Sequence, residues 1–131
     1  MIRRYVLDAG VPPLYFAGQK KTRNYIEEIY DKRAEAYMSE VNVAEFLYNY
    51  ARVFGWEAAM VKHSLLRNSP VVFIGVNEEL TLEAARLKHR YYGELSLADC
   101  YLIALAKEKR ATIITTDRSV KKIGEVPAVL L

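Results

Sequence analysis

Short apolar runs separated by amphipathic stretches set the tightest limit on how this chain folds. Tyr5-Val6-Leu7, Ala36-Tyr37-Met38-Ser39, Val71-Val72-Phe73-Ile74, Ala111-Thr112-Ile113-Ile114-Thr115 and Ala128-Val129-Leu130 are too short for helices and rich in β-branched or aromatic residues. Little polar alternation interrupts them, the pattern of strands buried on both faces. Between them the apolar residues recur at helical spacing. The spacing predicts helices from Thr22 to about Arg33, from Asn42 to the stop at Gly55, and from Trp56 to about Leu66. Further helices follow the cap at Asn77 and run from Ser96 to Lys109 and from Asp117 to Ile123. Strands that alternate with helices make an α/β chain with a mostly parallel sheet covered by helices on both faces.

At 131 residues, 52% of them hydrophobic, the chain is the length of one domain, 1–131, with enough apolar surface for a single core. No apolar run reaches the roughly 18 to 20 residues of a membrane span, and residues 1–15 lack a leader layout, so a soluble, cytoplasmic protein is expected. The lone Cys100 excludes an intrachain disulfide, and with only His63 and His89 beside it the sequence argues against a zinc site. Metal chemistry in this chain would be oxygen-ligand chemistry. A net charge of +3 tolerates a polyanionic partner without demanding one.

Aspartate is scarce: four residues, Asp8, Asp31, Asp99 and Asp117, against twelve glutamates. In a parallel sheet the carboxyl ends of the strands and the N-termini of the crossover helices share one edge, where ligands bind. Asp8 ends the first strand, and Asp117 lies two residues past the fourth. Glu45 is expected in the first turn of the helix after the second strand, and Asp99 in the first turn of the helix that leads to the fourth. Each has an ordinary structural use. Asn42-x-x-Glu45 and Ser96-x-x-Asp99 fit capping boxes, and Asp8 and Asp117 fit caps or turns. Four carboxylates on one edge repel one another, however, which capping alone gives no reason to accept. A bound Mg²⁺ or Mn²⁺ would relieve that repulsion and would direct phosphodiester hydrolysis.

Four segments in order, Tyr5-Val6-Leu7-Asp8-Ala9, Ser39 to Phe46, Leu95 to Asp99 and Ala111 to Arg118, together resemble the PIN domain, most of all its VapC-like branch of ribonuclease toxins from toxin–antitoxin pairs. The resemblance spans the chain and implies a parallel sheet of about five strands and Mg²⁺- or Mn²⁺-dependent endoribonuclease activity on RNA. It implies Asp8, Glu45 and Asp99 as the core acids and Asp117 as the fourth, catalytic and metal-holding together. Two positions depart from the pattern. Gly10 stands where many members carry Ser, Thr or Asn, so a steadying hydrogen bond is expected to be missing, and Ser119 stands where a further acid often follows. Of the hydroxyls nearby, Thr116 is expected ahead of Thr115 to orient Asp8 or Asp117.

Arg3-Arg4, Lys20-Lys21-Arg23, Arg86-Lys88-Arg90 and Arg118-Lys121-Lys122 are candidate phosphate contacts, Arg118 foremost. The aromatic residues Phe46, Tyr48, Tyr50, Phe54 and Trp56 exceed what one buried stripe needs. They suggest that the helices from Asn42 to about Leu66 form a homodimer or receive an antitoxin. The rival reading is a non-catalytic domain of the same fold that binds RNA or a protein while its acids serve as caps. A phosphatase is disfavoured because the first strand ends Asp8-Ala9-Gly10 without a second aspartate, and no Gly-x-Gly-x-x-Gly follows a strand.

Overall fold

The structure, a computed structural model, describes residues 2–131. Its centre is β1 (Arg3–Leu7), whose last three residues are buried on both faces. Alternation splits them. Val6 enters the core beneath α5 (Glu78–Arg90) and α6 (Leu97–Lys109), while Tyr5 and Leu7 face α1 (Val11–Phe16) and α2 (Lys20–Tyr30). The neighbouring β4 (Thr112–Thr115) divides in the same way, with Ile113 on the first face and Ile114 on the second.

All five strands are parallel, in the order β3 (Val72–Ile74), β2 (Ala34–Ser39), β1, β4, β5 (Ala128–Leu130). Successive crossovers therefore leave β1 in opposite directions, and the reversal opens a crevice beyond its carboxyl end. The helical hairpin of α3 (Glu40–Phe54) and α4 (Trp56–Arg67) closes one flank, and α7 (Arg118–Ile123) follows β4 on the other. Gly55, at φ 92°, breaks the hairpin at its corner, where its N–H bonds Ala51 O at 2.7 Å. The α6 helix is buried along most of its length and packs on β1, β2, β4, α3 and α5.

The expected elements are all present, with shifted ends. Pro12 and Pro13 start α1, as their fixed φ favours. Asn77 caps α5 by accepting from Leu80 N–H at 2.9 Å, and Ser96 with Asp99 completes a reciprocal capping box at α6. One start is corrected: α3 begins at Glu40, capped by the Ser39 hydroxyl, which accepts from Val41 N–H. Asn42 is therefore inside the helix rather than its cap, and Glu45 falls in the second turn rather than the first. No helix among the described residues is long and apolar enough to cross a membrane.

Because α6 touches so many elements, its buried leucines should dominate stability. Leu105 is fully buried, and Leu105→Ala should cost about 2–5 kcal/mol, read as a lower midpoint in urea denaturation with an unchanged slope. A cost below about 1 kcal/mol would contradict the central place given to this helix.

Candidate active site

The register of β1 on β4 builds the floor of the crevice. Val6 pairs with Ile113 and Leu7 with Ile114, so one step further along the two strands Asp8 comes to lie beside Thr115. The Thr115 hydroxyl donates to Asp8 Oδ2, and Ala9 N–H donates to Asp8 Oδ1 at 2.7 Å. The same hydroxyl accepts from Asp117 N–H at 2.9 Å. A chain of hydrogen bonds thus runs from the turn after β4 through Thr115 to Asp8 Oδ2, while the Ala9 amide holds Oδ1.

Asp99 is held by its cap. Its Oδ2 accepts from Ser96 N–H at 3.2 Å, and its own N–H donates to Ser96 Oγ at 3.1 Å. Asp117 caps α7, its Oδ1 accepting from Ser119 N–H at 2.7 Å. The structural and functional readings of these acids are therefore compatible. Each cap engages one carboxylate oxygen, and Asp99 Oδ1 and Asp117 Oδ2 have no hydrogen-bond partner among the described residues. Glu45 reaches the crevice from α3.

These four acids line one cleft of about 230 Å³ together with Gly10, Pro13, Phe46, Asn49 and Thr116. No lysine or arginine lines it. Among the described residues none of the four acids takes part in an ion pair. Burial pushes the Asp8 carboxyl up from its ordinary pKa, the charges of Asp99 and Asp117 push the same way, and the bonds from Thr115 and Ala9 pull back. Asp99 also rises, chiefly through burial, with its Ser96 bonds opposing. Glu45 rises through burial and then through Asp8, against a lowering influence of Asn42.

Carboxylates gathered in this way, with only Lys88 acting on Asp99 from outside the lining, suit a hard divalent cation. Among the described residues no three acidic, histidine or cysteine side chains are drawn into one tight ligand cluster. The cleft thus offers hard oxygen donors without an all-protein cage around an ion.

One sequence expectation changes here. The hydroxyl on Asp8 belongs to Thr115, fully buried, while Thr116 is exposed on the cleft wall. Thr116 has a different relation to the site, because a Cβ built on Gly10 would stand 2.5 Å from its Oγ1. The space expected to hold a side chain at position 10 is occupied by the Thr116 hydroxyl, and any larger residue at 10 would displace it. Asn49 and Pro13, which no motif marks, are also in the lining. Arg118 is exposed next to Asp117. Several other candidate phosphate contacts are engaged internally: Lys88 Nζ donates to Tyr92 O and Leu95 O, Lys121 Nζ donates to Ala128 O, and Arg3 and Arg86 pair with Glu28 and Glu83. Glu40 forms a two-pronged pair with Arg67, away from the cleft lining, and His63 accepts from the same arginine.

The raised carboxyls determine a pH dependence. A carboxyl whose pKa is higher folded than unfolded keeps a proton that the unfolded chain has released, so its contribution to stability falls as pH climbs from the ordinary aspartate value to the raised one. In metal-free buffer, Asp8→Asn should therefore melt with wild type in acid and above it at neutral pH. A variant less stable than wild type at neutral pH would refute the electrostatic account of Asp8.

The family model of the PIN domain matches residues 5–126. A search of curated proteins by sequence returned no match. Among solved structures, VapBC2 from Rickettsia felis bound to a DNA fragment from its promoter superposes with a TM-score of 0.78 at 16% identity, covering 97% of this chain and 98% of that one. VapC20 from Mycobacterium tuberculosis, a toxin that cleaves the sarcin–ricin loop, gives 0.74 at 20% identity, covering 94% and 98%. A toxin–antitoxin complex from Klebsiella pneumoniae gives 0.68 at 16%, covering 93% and 94%. At these identities the structural likeness establishes the fold. The family match spans nearly the whole chain and includes all four cleft acids, so the chain belongs to the PIN domain family.

Proposed function

We propose that this protein is a divalent-cation-dependent endoribonuclease that hydrolyses RNA phosphodiester bonds in the acidic cleft, and that it is the toxin of a toxin–antitoxin pair. The observation that carries the reading is the convergence of Asp8, Glu45, Asp99 and Asp117 on one cleft whose lining holds no lysine or arginine. Family membership and the similar fold of a toxin that cleaves the sarcin–ricin loop support RNA as substrate. Solved complexes of similar fold support an antitoxin partner, and action on RNA implies a cytoplasmic setting.

Asp8 and Asp99 would hold a Mg²⁺ or Mn²⁺ ion, with Glu45 and Asp117 orienting its waters. Such an ion lowers the pKa of a bound water and offsets charge on the phosphate during in-line attack. The protein's own contribution is positional. Thr115 and Ala9 stop the Asp8 carboxylate from rotating, and the α6 cap does the same for Asp99, so the acids meet substrate in a set geometry. The N-terminal ends of α6 and α7 point their backbone dipoles at this edge and favour negative charge there, by about 0.3–1 kcal/mol each at the surface. Arg118, exposed beside Asp117, is placed to contact a phosphate of the bound strand. Asn49 on the rim offers an amide to sugar or base.

The test is Mn²⁺-dependent cleavage of single-stranded RNA. Asp8→Asn and Asp99→Asn should each lower kcat by at least about 100-fold, and chelation should abolish wild-type cleavage. Equal cleavage by all three proteins would remove the assignment. If wild type binds RNA but cleaves nothing with either metal, the non-catalytic binding reading replaces it.

The α3–α4 hairpin presents Tyr48, Val53, Phe54, Trp56, Val61 and Leu65 to solvent, more apolar surface in one region than scattered exposure explains. We assign this region to self-association. Wild type should sediment as a dimer, and Phe54→Glu with Val61→Glu should give a folded monomer; a monomeric wild type at micromolar concentration would remove the assignment.

A further inference from the structure

Among the described residues, Asn42 Oδ1 is the buried side-chain polar atom without a hydrogen-bond partner. The residue is completely buried, lies in the first turn of α3, and faces α6, where its Nδ2 donates to Ala98 O at 3.3 Å. Ala98 immediately precedes Asp99. Glu45 stands three residues beyond Asn42, on the same side of α3.

The usual reasons for an asparagine at a helix start do not apply. Ser39 already caps α3, so the amide is not needed there. Filling the gap between two helices does not require it either, since leucine has similar bulk and would leave no acceptor stranded. The Ala98 carbonyl can only accept, which turns Nδ2 towards α6. An amide nitrogen carries two hydrogens, and the second is free for the Glu45 side. The lowering influence of Asn42 on the Glu45 carboxyl agrees with that placement.

We propose that Asn42 is a positioning residue that ties the Glu45 carboxylate on α3 to the start of α6 and so sets its spacing from Asp99. The inference rests on the cation reading above. Without the tie, Glu45 would depend only on the general packing of α3 against α6. A stranded acceptor is then the cost of holding two acids, carried on separate helices, in one register.

The experiment compares full-length wild type, Asn42→Leu and Asn42→Asp. Melting is followed without divalent cation, Mn²⁺ affinity by calorimetry, and RNA cleavage as separate kcat and KM. Asn42→Leu should melt no lower than wild type, yet bind Mn²⁺ about 10-fold more weakly and lose about 10- to 100-fold in kcat with KM unchanged. Asn42→Asp keeps the shape but sets an acceptor beside Glu45, and should lose as much or more. Wild-type Mn²⁺ affinity in both variants overturns the positioning role alone. A wild type that binds no Mn²⁺ overturns the cation reading beneath it. If Asn42→Leu fails to fold, the folded Asn42→Asp decides, and if neither folds the residue is structural and the proposal is wrong.

Discussion

The parallel pairing of β1 with β4 is the constraint on which the molecule turns. It places Val6 beside Ile113 and Leu7 beside Ile114, which fills the core on both faces of the sheet. Carried one residue further, the same register brings Asp8 to Thr115 at the point where the strands leave the core. Packing and chemistry therefore share one alignment. A slip of one residue would turn each apolar side chain to the wrong face, and it would also separate Asp8 from the hydroxyl that holds it. The hydrophobic energy that forbids the slip is the energy that keeps the site in place.

A cluster of like charges at that position would by itself oppose folding. The structure limits the cost in a particular way: three of the four acids accept bonds from groups that need an acceptor in any case. Asp99 satisfies the free end of α6 and Asp117 that of α7, while Asp8 takes the Ala9 amide. These are routine contributions of about 1 kcal/mol to a helix start. Capping and metal binding are thus not rivals for the same side chain, because a cap uses one oxygen and leaves the other. Burial first, and mutual repulsion after it, raise the carboxyls of Asp8, Glu45 and Asp99, and a bound cation would offset both.

What was readable from the residues follows the range of the interactions concerned. The Ser96-x-x-Asp99 box and the Asn77 cap are decided within a few residues, and local rules find them. The strand runs are legible because burial on both faces leaves a continuous apolar signature. The start of α3 is not, because Ser39 and Asn42 are both good caps and only the length of β2 selects the first. Nor is the choice of Thr115 over Thr116, which depends on the register of two strands more than a hundred residues apart; adjacent hydroxyls look alike until that register is known. Asn49 and Pro13 enter the cleft wall purely through the angle of the helices that carry them.

Charge distribution completes the physical picture. The net charge of +3 understates the contrast between body and cleft, since many basic side chains are already paired with glutamates or hold backbone carbonyls. Those groups cannot contact a nucleic acid without giving up a fold contact. Among the basic side chains left without ion pairs in the described residues are Arg118 and Lys122 near the fourth acid and Lys20, Lys21 and Arg23 on α2, part of the surplus available to a polyanion. A strand drawn to that surplus meets the acidic cleft as a local barrier. A divalent cation bound there, as proposed, would offset part of that charge and give phosphate a positive centre to approach, so the carboxylates that would repel substrate in metal-free protein would become the reason it binds at that point.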